Sequence, residues 1–288
     1  MGQAIAVVLS QHGIQPLAAL KERSERTRQL AAVAQIPDVG SLKSLVVEAD
    51  IIFSVLVPAA ATEAAEQIAP LIQAVGKPLL YVDANAIAPH RVQQIEQIIQ
   101  AAGGQFVDAS IIGPPPRVPN QTRIYASGIH AKQLLRLRDH GLDIRVIGDK
   151  IGQASGLKMC YAALTKGLTA LGTELLIAAH QLGLDAPLEA ELTSSQPGLL
   201  THLSRAIPSM TPKAHRWIGE MEEIADTFLS LGLTEQIFQG AADVYRLVND
   251  TSLGQETPEE RDRDRSLNQV IAILAQEARS SHSTFEKS

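Results

Sequence analysis

Short apolar runs alternate with longer amphipathic segments along the first 150 residues of the chain. Residues 50–57 form an apolar run that Pro58 ends, as in a parallel strand covered on both faces. Residues 59–75 then show helical spacing, and the order of strand and helix recurs. This alternation predicts an α/β fold with a Rossmann-like, doubly wound, mostly parallel sheet. Further strands are expected at 15–20, 79–84, 105–108, 122–127 and 143–147, and further helices at 3–12, 24–34, 89–102 and 131–140.

Strand patterns end near Gly156, and the rest of the chain shows helical spacing. We therefore predict an α/β domain over 1–150 and an all-α domain over 151–288. The last helix is expected to begin at Thr257 and Pro258, an N-cap followed by proline at the first helical position. Residues 280–288 are expected to be disordered. Helices are predicted at 157–182, 187–193, 197–206, 213–231, 234–248 and 258–279.

Composition narrows the class of protein. The 288 residues are 45% hydrophobic and carry a net charge of −6 without a basic cluster, which argues against nucleic acid as a partner. The single cysteine, Cys160, excludes an internal disulfide, indicates a reducing compartment, and is expected to be packed in a helix. No apolar run approaches the length that spans a bilayer, and the histidines lack metal-ligand spacing. A soluble, cytoplasmic protein without a metal or a membrane partner is expected.

The start of the chain resembles the helix that follows a glycine-rich phosphate turn. In open α/β sheets, that turn joins the first strand to the first helix and holds the ligand. This chain opens on Met1-Gly2-Gln3-Ala4, already at the start of a helix. The first strand and two glycines would lie upstream, so we expect a start codon assigned too far downstream, or else a truncated chain without its central strand. Phosphate donors would then be the N–H groups at the helix N-terminus, beginning at Gly2.

Four segments together resemble the β-hydroxyacid dehydrogenase superfamily, which includes the 6-phosphogluconate dehydrogenases and the imine reductases. They are MGQAIA at 1–6, similar to the end of the GxGxMGxxxA fingerprint, DANAIAP at 83–89, DASIIG at 108–113 and GQASGLK at 152–158. The last matches the GxGxxxK motif that delivers the catalytic lysine of the family. The resemblance implies an NAD(P)-dependent oxidoreductase that acts on a small molecule. The long helix with small residues on its faces suggests a homodimer formed through the helical domain.

The resemblance implies that Lys158 is the general acid and base, which protonates a carbonyl oxygen as hydride arrives. A place in the first turn of a helix, together with burial, would lower its pKa, and the alternative is a surface lysine. Tyr161 would donate a hydrogen bond beside Lys158, because the asparagine of the family is Ala162 here; a core tyrosine is the alternative. Small residues on the same helix, such as Gly172, are expected to pack closely against the first domain.

Cofactor contacts are expected at the carboxyl ends of the predicted strands. Arg23 and Ser24 follow the predicted second strand, where arginine and serine favour the 2′-phosphate of NADP, while Glu22 keeps NAD as the alternative. The backbone of Val57 and Pro58 would line the dinucleotide site. Asn85 is the polar candidate near the nicotinamide, with the capping of a turn as its alternative role.

Asp108, Ser110 and Gly113 are the candidates that orient the substrate, although an aspartate that caps a loop is an equal alternative for Asp108. The carboxylate-binding Ser-Gly-Gly of the family is Ile112-Gly113-Pro114 here, which removes a hydroxyl and one flexible amide. A small hydroxy acid or carbonyl compound is the expected substrate. An imine is the alternative, because an imine needs no carboxylate clamp. In a second class of function, the chain is a non-catalytic dimeric protein that has lost cofactor binding.

Overall fold

The computed structural model describes residues 1–118 and 121–285, with side chains described up to residue 278. The chain forms two compact units, Met1–Met159 and Cys160–Ser288. The first unit extends to Met159, beyond the predicted domain boundary at residue 150, because the first turns of a long helix, α6 (Gln153–Gln181), belong to it.

The first unit is built on a sheet of five strands: β1 (Ile51–Ser54), β2 (Leu80–Asp83), β3 (Gln105–Ile112), β4 (Arg123–Ser127) and β5 (Asp143–Gly148). They lie in the order β1-β2-β3-β4-β5. All neighbouring pairs are parallel except β3 and β4, which are antiparallel, so the predicted mostly parallel sheet is confirmed. β1 pairs only with β2, and no other strand of the described residues covers its free edge.

Helices cover both faces of the sheet, because successive strand side chains point to opposite faces. Leu80 and Val82 pack with α1 and with the 3-10 helix Ala131–Arg138, whereas Tyr81 packs on the other face with α3, α4 and α5. The rings of Tyr81 and Phe106 stack there, with centroids 5.9 Å apart. The helices of this unit are α1 (Gly2–Gln11), α2 (Glu25–Val33), α3 (Leu42–Glu48), α4 (Ala61–Val75) and α5 (Pro89–Ala101).

Two predicted elements of this unit are wrong. Residues 15–20 form no strand, because only Ala18 pairs, in an isolated parallel bridge with Asp38. Pro16 also lacks the N–H that a strand ladder needs. The helix predicted at 131–140 is a 3-10 helix that ends at Arg138. In addition, α3 was not predicted.

The second unit is all-helical, as predicted. Its core includes Met221 and Tyr245, both fully buried, whereas α7 buries no residue. Gly172 packs within this unit, since a Cβ placed on it would lie 2.4 Å from Cδ2 of Leu203. Packing of Gly172 against the first domain stays a prediction. The helices after α6 are α7 (Asp185–Ser195), α8 (Pro197–Met210), α9 (Ala214–Ser230), α10 (Gln236–Asn249), α11 (Ser252–Gln255) and α12 (Leu267–Phe285).

The last helix begins at Leu267 and not at Pro258. Thr257 and Glu260 do form the reciprocal hydrogen bonds of a capping box. The residues that follow are charged and offer no apolar stripe to pack, so the helix starts only after Ser266, whose hydroxyl accepts the N–H of Gln269. The disorder expected for 280–288 is not found up to residue 285, and residues 286–288 lie outside the described residues.

α6 corrects two further expectations. By length and composition it is apolar enough to cross a membrane, with 44% of its most apolar window buried. Such a helix is weak evidence for a membrane span, because a core helix of a soluble protein has the same properties. Cys160, expected to be packed, is exposed on this helix.

Candidate functional site

Four buried polar residues form a row across the sheet, one on each of four neighbouring strands. Strand register pairs Ser54 with Asp83, Asp83 with Asp108, and Asp108 with Ser127. Their exposed fractions range from 0% to 6%, although buried polar groups are costly unless they are hydrogen-bonded. The row lies at the carboxyl ends of β1 and β2, where open α/β sheets bind their ligands.

Asp108 uses its carboxylate to hold the start of α6. It accepts hydrogen bonds from the N–H of Gly152 at 2.9 Å, the N–H of Ser155 at 3.1 Å, the hydroxyl of Ser155 at 2.5 Å and the hydroxyl of Ser127 at 3.0 Å. Burial raises the pKa of Asp108, and these hydrogen bonds oppose the rise. These contacts correspond to the capping alternative for Asp108, and its substrate role stays a prediction.

Ser110 is also engaged with α6. Its hydroxyl donates to the backbone carbonyl of Ala154 at 2.6 Å, and the N–H of Ala154 donates to Ser127 Oγ at 3.0 Å. Three polar side chains of the sheet, Asp108, Ser110 and Ser127, therefore fix the first turn of α6. This geometry positions the helix that carries Lys158.

Lys158 lies in the second turn of α6, half-buried, and its Nζ donates to the carbonyl of Ile111 at 2.8 Å. The predicted place in the first turn is wrong, because α6 begins at Gln153 and not at residue 157. The influence of a helix N-terminus fades beyond the first turn, so Lys158 lies outside the turn where the helix dipole acts. The contact with Ile111 instead holds the ammonium at the end of β3.

Asn85 is 3% exposed, and its side chain is fully occupied. Its Oδ1 accepts the N–H of Leu56 at 2.5 Å, and its Nδ2 donates to Ser54 Oγ and to Asp83 Oδ2, both at 2.9 Å. This is the turn-capping role, and it fixes the chain that leads from β1 to Val57 and Pro58. A direct contact with the nicotinamide stays a prediction.

Asp83 also has a raised pKa. Burial raises its pKa to about 7, although the N–H and side-chain amide of Asn85 both donate to its carboxylate. The neighbouring charge of Asp108 raises it further. A buried carboxyl that titrates near neutrality at a strand end is typical of functional sites.

The start of α1 lies beside the end of β1. A Cβ placed on Gly2 would lie 3.8 Å from Cβ of Val55, the residue after β1. α1 has no side-chain cap, so its first N–H groups can donate to an anion. Val57 follows at the same strand end and is 53% exposed. A dinucleotide phosphate at Gly2, with the backbone of Val57 and Pro58 alongside, stays a prediction.

Arg23 and Ser24 are both exposed at the start of α2. Ser24 is the N-cap of this helix, and its hydroxyl oxygen accepts the N–H of Thr27 at 3.3 Å. The carbonyl of Arg23 accepts a hydrogen bond from Arg28 at 2.7 Å. The strand expected before them is only the bridge at Ala18, so these residues do not follow a sheet strand as predicted.

The remaining predicted residues have distinct settings. Gly113 has a φ of +124°, and a Cβ there would lie 2.2 Å from the carbonyl oxygen of Gln121, so this turn requires glycine. Tyr161 is 46% exposed, which argues against the core-tyrosine alternative.

The sequence interpretation missed Ser54, Ser127 and Ser155. Each is a small polar residue near the end of an element, but only strand register shows which of them meet.

The helical unit contains its own buried charge cluster. Lys166 is 9% exposed, forms an ion pair with Glu220, and lies 5.1 Å from the ring centroid of Trp217. Tyr245 donates to the carbonyl of Lys166 at 2.6 Å. Burial lowers the pKa of Lys166, while Glu220 opposes this shift. The carboxylate and the indole ring therefore compensate the buried charge of Lys166.

Two protein-family models match successive parts of the chain, one in each structural unit. Residues 1–137 match the NAD binding domain of 6-phosphogluconate dehydrogenase, and residues 179–248 match a domain of unknown function, DUF1932. An uncharacterized 28.5 kDa protein of Methanothermus fervidus is 29% identical over 233 residues, which cover 80% of this chain and 88% of that protein.

Solved structures share the fold. A conserved protein of unknown function, described as similar to 3-hydroxyacid dehydrogenases, has a TM-score of 0.66 and 28% identity, covering 86% of this chain and 93% of its own. The 3-hydroxyisobutyrate dehydrogenase of Salmonella typhimurium has a TM-score of 0.67 and 17% identity, and the match covers 94% of this chain and 95% of that chain. An imine reductase variant from Myxococcus stipitatus, in complex with NAD+, has a TM-score of 0.53 and 16% identity, and the match covers 95% of this chain and 96% of that chain.

Proposed function

We propose that the chain, whose residues 1–137 match the NAD binding domain of 6-phosphogluconate dehydrogenase and whose residues 179–248 match DUF1932, is an NAD(P)-dependent oxidoreductase. Its substrate is a small hydroxy acid or carbonyl compound, and Lys158 is its general acid and base. One observation carries this proposal: the ammonium of Lys158 is held 2.8 Å from the carbonyl oxygen of Ile111, on a helix whose start Asp108 fixes.

The nicotinamide, when bound, supplies or accepts the hydride. Lys158 transfers the proton. Its Nζ donates a proton to the carbonyl oxygen of the substrate during reduction and accepts the proton of the substrate hydroxyl during oxidation. The carbonyl of Ile111 orients the ammonium, because it accepts one of its N–H groups. Tyr161 is proposed as a second donor to the substrate oxygen. Asp108, Ser110 and Gly113 shape the loop that faces the substrate, the first two through their contacts with α6.

NADP is the proposed cofactor, with NAD as the alternative. The N–H groups at Gly2 would hold the pyrophosphate, and the exposed side chains of Arg23 and Ser24 offer charge and a hydroxyl to the 2′-phosphate. We expect Arg23→Gln to weaken NADPH binding about tenfold and to leave NADH binding unchanged, because only NADPH carries the 2′-phosphate. Fluorescence titration of both cofactors measures this, and an equal loss for both would contradict a 2′-phosphate contact.

An imine is the second candidate substrate. Ile112 provides no hydroxyl for a carboxylate, and an imine reductase variant shares the fold. Parallel assays with hydroxy acids, keto acids and cyclic imines separate the two classes. A non-catalytic dimeric protein is the remaining alternative, which the cofactor titration decides.

A homodimer is proposed through the helical unit. On α6, Tyr161, Leu164, Leu171 and Leu182 are 46%, 67%, 62% and 73% exposed, and their spacing places them in one stripe along the helix. Such a stripe is expected to be covered by a second copy. Leu164→Glu and Leu171→Glu should produce monomers in sedimentation experiments, while Glu174→Gln, an exposed change on the same helix, should not. A monomeric wild-type chain would exclude the dimer.

The protein is also proposed to be soluble and cytoplasmic. Lys166 on α6 is buried and forms an ion pair with Glu220, so one part of this apolar helix lies within a folded unit. Fractionation of cells that express the full chain tests this, since a membrane protein would remain with the pellet after a salt wash.

The central experiment titrates NADPH and NADH into the full chain and then measures hydride transfer. Lys158→Met should lower kcat by about 10²–10⁴-fold and leave the cofactor Kd unchanged, because it removes only the proton donor. Lys150→Met, which changes an exposed lysine near the start of α6, is the matched control and should remain active. Full activity of Lys158→Met would refute the assigned role, and absence of cofactor binding by the wild-type chain would refute the oxidoreductase.

A further inference from the structure

A small cavity in the helical unit is lined by basic side chains. It has a volume of about 180 Å³ and lies where the 3-10 turn Thr211–Lys213 meets the segment after α11. Half of its lining residues are cations and none is an acid. The lining consists of Lys213, Arg261, Arg263, Ser209, Pro212 and Pro258.

Among the described residues, no carboxylate forms an ion pair with the cations that line this cavity. Arg261 and Arg263 make no side-chain hydrogen bond or ion pair with any described residue. Lys213 Nζ donates to a neutral group, Ser209 Oγ, at 2.9 Å. Burial lowers the pKa of Lys213, and the two charges that lower it further are the cations Arg216 and Arg261. Cations held together in this way repel one another, so an anion between them would stabilise the fold.

Three acidic residues close in sequence, Glu256, Glu260 and Asp262, accept hydrogen bonds from groups outside the cavity. Glu256 accepts two hydrogen bonds from Arg265, at 3.1 and 2.8 Å, in a bidentate pair. Glu260 accepts the hydroxyl of Thr257 at 2.7 Å, and Asp262 accepts the N–H of Asp264 at 3.0 Å. The three carboxylates are therefore bound to other groups and form no ion pair with the cations of the cavity.

The cavity is also preorganised. Pro212 and Pro258 give it stiff walls, and the reciprocal bonds between Thr257 and Glu260 fix the turn that leads to Arg261. Lys213 is the residue before α9, so the partial positive charge of the helix N-terminus adds to its own. A guanidinium group can donate two parallel hydrogen bonds to two oxygens of one phosphate. The volume is below the roughly 300–1,000 Å³ of pockets that enclose a larger ligand, so only a small group fits inside.

We propose that this cavity binds a phosphate group, either as free phosphate or as the phosphate end of a small organic molecule. Arg261, half-buried, and Lys213 hold the oxygens, and exposed Arg263 closes the outer side. The proposal concerns the helical unit alone and does not depend on the oxidoreductase activity or on the cofactor site.

The test titrates inorganic phosphate into the full wild-type chain by calorimetry, with chloride at equal ionic strength as the reference. Saturable binding is expected, together with a rise in Tm that grows with phosphate concentration. Arg263→Gln and Arg261→Gln should each weaken binding about tenfold or more, since each removes a charge-assisted contact. Arg205→Gln, an exposed change on α8, is the matched control and should bind as the wild type does. Arg263 is exposed, so its variant should fold normally.

Glycerol 3-phosphate serves as the second probe and separates the two sources. Tighter binding of glycerol phosphate than of phosphate supports an organic phosphate, and equal binding supports free phosphate. Three results would overturn the proposal: no saturable binding, unchanged affinity in the Arg261 and Arg263 variants, or loss of phosphate binding in Arg23→Gln but not in those variants. The last result would assign the phosphate to the N-terminal unit.

Discussion

The carboxylate of Asp108 accepts two hydrogen bonds from Ser155, one from its hydroxyl at 2.5 Å and one from its backbone N–H at 3.1 Å. This contact joins β3 to the first turn of α6. Because α6 is a rigid helix, fixing its first turn also fixes Lys158 in the next one. The residue that carries the proposed chemistry is therefore positioned by residues that do not take part in it.

Removal of the Asp108 carboxylate should destabilise the N-terminal unit. Asp108→Ala leaves buried donors of Gly152 and Ser155 without an acceptor, at a cost of about 1–3 kcal/mol each. We expect a loss of at least about 3 kcal/mol in urea unfolding followed by circular dichroism. Asp139→Ala, an exposed aspartate, is the control and should change stability by less than about 0.5 kcal/mol. Equal stability of the two variants would contradict the capping role.

Stability should depend on pH through Asp83. Its folded pKa of about 7 lies above the ordinary value of 3.8, so the folded protein binds the proton more tightly than the unfolded chain. The resulting contribution to the free energy of unfolding is complete below about pH 4 and is lost as pH rises through about 7. It amounts to at most about 4 kcal/mol. Asp83→Asn should remove this part of the pH dependence. Urea unfolding at pH 5 and pH 8 measures it, and identical pH dependence in both proteins would contradict the shifted pKa.

Two glycines of α6 should respond oppositely to alanine. A Cβ on Gly172 would lie 2.4 Å from Cδ2 of buried Leu203, whereas a Cβ on Gly167 meets nothing within 4 Å. Gly172→Ala should cost about 1–3 kcal/mol through overpacking. Gly167→Ala should stabilise by roughly 0.5–1 kcal/mol, because alanine favours the helix. Thermal unfolding compares them, and stabilisation by both changes would show that Leu203 can move away.

The buried ion pair of the helical unit should show strong coupling. Lys166→Met leaves the carboxylate of Glu220 without the ammonium and is expected to cost about 3–5 kcal/mol. The double variant Lys166→Met with Glu220→Gln should recover part of that loss, because the uncompensated charge is gone. Fluorescence of Trp217, which lies 5.1 Å from Lys166 Nζ, reports unfolding of this unit. Additive effects of the two changes would rule out a coupled pair.

The parallel strands were the most predictable part of the fold. β1 and β2 are short apolar runs bounded by proline or polar residues, and such runs have few other solutions in an α/β chain. Residues 15–20 have a similar pattern but form only the bridge at Ala18. A strand exists only where a neighbour pairs with it, and the pattern of one segment does not reveal its neighbour.

Candidate site residues were predictable by type and less so by contact. Lys158 and Asp108 were identified from their motifs, but Ser127 and Ser155 were not, although all of them except Lys158 share one hydrogen-bonded network. The cluster of Lys213, Arg261 and Arg263 joins residues far apart in the chain, so no local motif indicates it. Charge and burial at such places arise from packing.

The amino-acid sequence by itself determined most of the local elements, their order and the change from an α/β to an all-helical pattern, because periodicity and turn residues act over short stretches of chain. The tertiary structure alone decided which polar groups meet: the row from Ser54 to Ser127, the contacts of Asp108 with α6, and the cluster of Lys213, Arg261 and Arg263. Strand register and helix packing bring these residues together across long separations, and hydrogen bonds and desolvation depend on distances that a linear pattern does not contain.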